Sequence, residues 1–74
     1  MMAKHNVVIC TENSGYEASL EVRKLYETIP DSDAEHHNQT RVIDESGEDY
    51  LYPKSFFMNV SLPQEIVQQI FDAA

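Results

Sequence analysis

The segment Arg41–Phe57, "RVIDESGEDYLYPKSFF", is the most patterned part of this 74-residue chain and decides its fold. Two short apolar runs, Val42–Ile43 and Tyr50–Leu51, flank a polar loop in which Gly47 can adopt a positive φ at little cost. Pro53 then ends the second run, because proline cannot donate to a strand ladder. The segment therefore predicts a β-hairpin that stops at the proline.

Extended runs on both sides of the hairpin predict further strands. Asn6–Glu12 is rich in β-branched residues and stops at the turn-forming "NSG", and Leu25–Ile29 ends at a proline. After the hairpin, "FFMNV" supplies one more extended run. Residues 17–26 fit either a helix or a strand that places Leu20 and Val22 on one face, and periodicity leaves both open. We favour the strand.

Two segments have helical signals. Residues 31–40 hold one small apolar residue and predict a solvated connection or a single helical turn, with Asp31 as its cap and Ala34 inside. Near the C-terminus, Ser61, Gln64 and Pro63 mark a helix start, and an apolar stripe at helical spacing follows. A C-terminal helix is predicted over residues 62–73, and it must pack on its own sheet or on a second copy of the chain.

Length and charge restrict the function. The chain is predicted to be a single domain over residues 1–74, with a flexible tail at residues 1–5. Thirteen acidic residues against five Lys and Arg give a formal charge of −8, which disfavours nucleic acid and anionic membrane surfaces as partners. The single Cys10 forms no internal disulfide and lies in an apolar run, so a buried thiol and a cytoplasmic location are expected.

The segment "GEDYLYPKSFFMNV", residues 47–60, resembles the C-terminal part of an SH3-like small barrel. The resemblance implies a mainly β fold, a barrel of about five strands with the C-terminal α-helix added; the alternative is an α+β fold with a helix around residues 17–26. In that family a glycine lies at the hairpin, a proline precedes a short 3₁₀ turn, and an aromatic residue anchors the turn. These roles would fall on Gly47, Pro53 and Phe56.

The resemblance carries the fold and not the activity. SH3 domains that bind proline-rich peptides use an aromatic groove with a tryptophan, and this chain has no Trp. The string "RVIDESGEDYLYP" also resembles short bacterial proteins, and that resemblance implies no established function.

Four tyrosines suggest a partner-binding surface. Tyr50 and Tyr52 share a strand face, which we expect to point outward while Leu51 points inward, and Tyr16 is a third candidate. Their rings could also cover the barrel ends. The leading interpretation is a non-enzymatic module that presents an acidic surface with exposed tyrosines to an unknown protein partner.

A metal site is the alternative interpretation. The loop Asp31–His37 does not fit a calcium loop, but Asp33, His36 and His37 could bind zinc or nickel. No cofactor is predicted. The hairpin acids, among them Asp44 and Asp49, are expected to be solvated rather than catalytic, and no catalytic motif is present, so an enzyme is not expected.

Alternation and helical spacing together predict the core. Its expected members are Val8, Cys10, Leu20, Val22, Tyr26, Ile29, Val42, Leu51, Phe56, Val60, Ile66 and Ile70. The helix stripe formed by its last two members could alternatively pair two chains in a homodimer.

Overall fold

The computed structural model describes residues 6–71, and the predicted tail at residues 1–5 lies outside this range. Within these residues the chain forms five strands, two α-helices and one 3₁₀ turn. They are β1 (Asn6–Cys10), β2 (Leu25–Ile29), α1 (Ser32–His36), β3 (Gln39–Ile43), β4 (Asp49–Pro53), the 3₁₀ turn (Lys54–Phe56), β5 (Phe57–Val60) and α2 (Gln64–Phe71). The predicted mainly β fold with a C-terminal helix is confirmed.

All five strands join one antiparallel sheet in the order β4-β3-β2-β1-β5. The two outermost strands, β4 and β5, are consecutive in the chain and are separated only by the 3₁₀ turn. Such a short connection requires the sheet to curl until its edges approach each other. The rings of Tyr52 on β4 and Phe57 on β5 accordingly lie 6.3 Å apart. This arrangement is compatible with a small barrel-like fold.

The core lies inside the curl of the sheet. Alternation along β1 directs Val8 and Cys10 inward, and Val8 pairs with Tyr26 of β2. The buried cluster is Val8, Cys10, Leu20, Tyr26, Val42 and Tyr52, with Phe56 and Phe57 packed against it. The predicted core members Ile29 and Val60 are only partly buried.

Local turn signals act as predicted. The side chain of Asp31 accepts a hydrogen bond from the backbone N–H of Ala34, which caps α1, and Ala34 is buried. Gly47 has φ +85° in the β3–β4 turn, a conformation that glycine adopts without steric cost. Pro53 ends β4 directly before the 3₁₀ turn.

Neither interpretation of residues 17–26 is right for their first part. Residues 11–24 form a long loop between β1 and β2, with one helix-like turn in which Leu20 N–H donates to Tyr16 O. Val22 was assigned to the core and is 41% exposed. The loop is held by distant backbone bonds, such as that from Arg23 N–H to Cys10 O, so the local sequence does not determine its path.

The predicted orientation of β4 is also wrong. Tyr52 is 3% exposed, whereas Leu51 is 39% exposed. Tyr50 and Tyr52 do share a face, but this face is the one that pairs with buried Val42 and lines the inside of the curl. A hydrogen-bond partner for the Tyr52 hydroxyl makes this burial possible.

Helix α2 buries less of its apolar stripe than predicted. The helix begins at Gln64, later than the predicted residue 62, and residues beyond Phe71 lie outside the described range. Val67 is buried and lines a concavity with Val7 and Val60 on the outer side of the sheet. Ile66 and Ile70, both assigned to the core, are 42% and 47% exposed, because the described chain covers only the side of the helix that carries Val67.

Candidate functional site

The best-defined candidate site is a cleft of about 420 Å³ between the β1–β2 loop and the β3–β4 hairpin. We call it the tyrosine cleft. Its lining residues are Tyr16, Ser19, Asp44, Ser46, Tyr50, Leu51 and Tyr52. The cleft thus joins aromatic rings, small hydroxyl groups and one carboxylate.

Asp44 is the unusual residue of the cleft, because a carboxylate is seldom buried without a compensating partner. It follows β3 directly and is 7% exposed. Its Oδ1 accepts hydrogen bonds from the backbone N–H (2.9 Å) and the hydroxyl (2.5 Å) of Ser46. Its Oδ2 accepts a hydrogen bond of 2.6 Å from the hydroxyl of Tyr52. Burial raises the pKa of Asp44, but these hydrogen bonds outweigh it and hold the pKa below its ordinary value.

A second tyrosine–carboxylate pair lies beside the first. The hydroxyl of Tyr26 donates to Glu45 Oε2 at 2.6 Å and accepts from the backbone N–H of Glu21 at 2.7 Å. Lys24 Nζ lies 2.6 Å from the same oxygen of Glu45 and 5.7 Å from the centre of the Tyr26 ring. Hydrogen bonds from Lys24 and Tyr26 lower the pKa of Glu45. This pair connects β2 to the hairpin, and Lys24 at the end of the long loop supplies a cation to it.

Two exposed tyrosines frame the cleft. Tyr16, on the long loop, is 42% exposed and packs edge-on against Tyr52, with ring centres 5.1 Å apart, and against Phe56. Tyr50, on β4, is 49% exposed and donates from its hydroxyl to Glu48. The first ring is fixed by aromatic contacts and the second by its strand, so both are presented at defined positions.

The structure brings the three tyrosines proposed from the sequence into one cleft, but in different roles. Tyr16 and Tyr50 are exposed, whereas Tyr52 belongs to the buried core and also lines the cleft. Sequence reasoning missed Asp44, which it treated as a solvated hairpin acid. The signal was the Asp-x-Ser spacing to Ser46, which is typical of an aspartate side chain that bonds the backbone two residues later.

The acid and histidine residues of the proposed metal site lie on and next to α1. Asp33, His36 and His37 are all exposed, and His37 Nδ1 lies 2.8 Å from the backbone oxygen of Asp33. Among residues 6–71 no group of three or more His, Cys, Asp or Glu side chains is arranged to hold a metal ion.

A further concavity of about 290 Å³ opens at the other end of the curled sheet. Its lining residues are Asn6, Val8, Thr28, Glu35, Thr40, Lys54, Phe57 and Asn59. The ion pair between Lys54 and Glu35 lies at this concavity and supplies both charges there. The carboxylate in this concavity, Glu35, is thus paired with a cation, whereas Asp44 in the tyrosine cleft has no cation partner within residues 6–71.

Cys10 is fully buried and donates from Sγ to the backbone oxygen of Glu12. Burial raises the pKa of its thiol, which disfavours the reactive thiolate. The expected buried thiol is confirmed.

Comparison with known proteins gives no match to a family model, to a curated protein or to a solved structure. Within residues 6–71 neither helix has the length and apolar character needed to cross a membrane.

Proposed function

We propose that this protein is a non-enzymatic interaction module that binds a protein partner through the tyrosine cleft. The observation that carries the proposal is that two accessible rings, Tyr16 and Tyr50, line the same cleft as the buried carboxylate of Asp44. Tyrosine is enriched at protein interfaces because its ring provides apolar area and its hydroxyl a hydrogen bond.

We further propose that the scaffold is an SH3-like barrel. The strand order, the 3₁₀ turn between β4 and β5, and the position of Pro53 before that turn support the assignment. Phe56 ends the turn and packs against the core, in the anchoring role implied by the resemblance. The tyrosine cleft lacks the tryptophan that lines the peptide groove of SH3 domains, so binding of proline-rich peptides is not part of the proposal. We also propose that the protein works in a reducing cytoplasm, because Cys10 is a buried free thiol.

The partner is expected to be basic at its contact surface. The sequence carries thirteen acidic residues against five Lys and Arg. Three of those basic side chains, Lys24, Arg41 and Lys54, already form ion pairs within the chain. The remaining negative charge favours association with a positively charged surface.

Affinity capture with quantitative mass spectrometry tests the proposal. Tyr50→Ala and Tyr16→Ala should each reduce the captured partner, because they remove ring surface at the cleft without opening the core. Met58→Ala is the matched control, since Met58 is the most exposed large apolar residue between residues 6 and 71 and lies on β5, outside the lining of the cleft. Circular dichroism must show that all three variants fold.

Equal capture by the wild type and both tyrosine variants would contradict the proposal. Tyr52→Ala is unsuitable as a surface variant, because the ring belongs to the buried core. A homodimer through Ile66 and Ile70 stays a prediction, which light scattering tests by comparing the particle mass with the 8.5 kDa of one chain.

A further inference from the structure

We infer that the tyrosine cleft binds one basic side chain, lysine or arginine, from a flexible segment of the partner. Its cationic head points toward Asp44 and its aliphatic stem lies against the rings of Tyr16 and Tyr50. This inference rests on the proposed function and specifies what the partner inserts into the cleft.

The charge of Asp44 supports this inference. The ion pairs formed within residues 6–71 use Asp31, Glu35, Glu45 and Asp49 as their acids, but not Asp44. Within the described residues, the side-chain oxygens of Asp44 accept hydrogen bonds from neutral donors, namely the Ser46 amide and hydroxyl and the Tyr52 hydroxyl. These donors stabilise the ionised form without neutralising it. A buried negative charge that lines an open cleft attracts a cation.

A neighbouring tyrosine–carboxylate pair shows the same arrangement with a lysine bound to it. In the neighbouring pair, Tyr26 donates to Glu45 at 2.6 Å, and Lys24 contacts both the carboxylate and the face of the ring. The Tyr52–Asp44 pair has the same 2.6 Å hydrogen bond but has no cation from the described part of the chain. The chain thus shows, one residue away, how a tyrosine–carboxylate pair holds a lysine.

The size and lining of the cleft also fit a basic side chain. Its volume of about 420 Å³ is that of a small-ligand pocket, which has room for one long side chain and part of the segment that carries it but not for a folded surface. Tyr16 and Tyr50 supply aromatic surface, which attracts cations through the ring quadrupole and covers methylene groups. The hydroxyl groups of Ser19 and Ser46 also line the cleft and can accept further hydrogen bonds from an ammonium or guanidinium group.

Nuclear magnetic resonance titration of the full chain tests the inference. The probes are capped five-residue peptides of Gly and Ser that differ only at the central residue, which is Lys, Arg or Gln. The Lys or Arg peptide should cause saturable shifts of the backbone amides of Tyr16, Ser46 and Tyr50. The Gln peptide should not, because it lacks the charge.

Two sets of variants separate charge from shape. Asp44→Asn should weaken binding of the basic peptide about tenfold or more, since it removes a charged partner at similar size. Asp33→Asn makes the same change of net charge on exposed α1 and should leave binding within about twofold. Tyr50→Leu should weaken binding while the fold is retained, and it keeps the test valid if Asp44→Asn unfolds the chain.

The outcomes distinguish this inference from the proposed function. Equal shifts with the Gln peptide, or unchanged binding by both Asp44→Asn and Tyr50→Leu, overturn the inference. Binding of spermidine without binding of either peptide also overturns it, in favour of a free polyamine. If Tyr50→Ala abolishes partner capture but no basic peptide binds, the proposed function stands and the inference is wrong.

Discussion

The hydroxyl of Tyr52 donates a 2.6 Å hydrogen bond to Oδ2 of Asp44, and both side chains are buried. The bond joins β4 to the residue that follows β3, across the hairpin. It satisfies the polar ends of two groups that the core could not otherwise hold, because an unbonded buried polar group costs about 1–3 kcal/mol. The same hydrogen bond therefore stabilises the β3–β4 hairpin and fixes the position of Asp44 in the tyrosine cleft.

Removal of the Tyr52 hydroxyl should destabilise the fold. Tyr52→Phe leaves one oxygen of a buried carboxylate without its donor, so the free energy of unfolding should fall by about 1–3 kcal/mol. Tyr50→Phe is the control, because the Tyr50 bond to Glu48 is exposed, and it should change stability by less than about 0.5 kcal/mol. Urea denaturation followed by circular dichroism measures both. Equal effects of the two substitutions would contradict the role of the buried bond.

Stability should fall in acid because the folded chain lowers the pKa of Asp44 and of Glu45. A carboxyl with a lowered folded pKa contributes stability above its unfolded pKa of about 4, and this contribution is lost as the pH falls through the folded value. The unfolding free energy should therefore drop below about pH 4. Asp44→Asn should flatten this dependence, whereas Asp33→Asn should retain it. Denaturation curves across this range provide the measurement.

An alkaline limit should come from the buried tyrosines. Burial and the hydrogen bond to Asp44 raise the pKa of Tyr52 to about 12, and burial also raises that of Tyr26. A raised folded pKa contributes stability below the unfolded value of about 10, which is lost as the pH rises toward the folded value. Ultraviolet titration at the phenolate band should show late ionisation of these two rings together with unfolding. Their early ionisation in a folded chain would refute this prediction.

In the described part of the chain, two residues other than glycine have left-handed backbone conformations, Arg23 with φ 70° and Asn38 with φ 56°. The conformation costs a residue with a Cβ roughly 1–2 kcal/mol, although asparagine tolerates it better. Arg23→Gly should therefore stabilise the fold by up to about 1 kcal/mol, after the larger unfolded-state entropy of glycine is subtracted. Asn38→Gly should gain less. Thermal unfolding compares them, and a lower melting temperature for Arg23→Gly would contradict the argument.

Only one side of α2 should matter for stability. Val67→Ala removes buried methyl groups and should cost about 1–2 kcal/mol. Ile70→Glu changes an exposed position and should leave the unfolding free energy of the monomer within about 0.5 kcal/mol. Denaturation at low protein concentration measures both variants, so that any self-association contributes little. The reverse order of effects would show that Ile70 packs within the chain.

The β3–β4 hairpin and the start of α1 were predictable because their sequence signals are local. Gly47 permits the turn, Pro53 cannot continue the strand, and Asp31 caps α1 through its own side chain. Each of these residues affects the backbone of its near neighbours in the sequence, so a short stretch of sequence is enough to predict the turn, the strand end or the helix start.

The cleft was not predictable in the same way, since its features depend on distant parts of the chain. Alternation places Tyr50 and Tyr52 on one face, but whether this face points inward depends on the packing of the other strands. Likewise, the local sequence predicts a solvated Asp44, because the donor that allows its burial, the Tyr52 hydroxyl, comes from the next strand. The path of the β1–β2 loop depends on the bond from Glu45 N–H to Ser19 O, which no local pattern reveals.

The position of β1 between β2 and β5 affects how the chain folds. Val7 pairs with Val60, so the sheet is complete only when the first described strand has paired with the last. Closing so long a loop costs entropy before the contacts form, which is typical of proteins that fold in milliseconds to seconds rather than microseconds. During synthesis, the unpaired side of β1 is exposed until β5 leaves the ribosome. In that interval the nascent chain presents an open strand edge, which is the feature most prone to pairing with another chain.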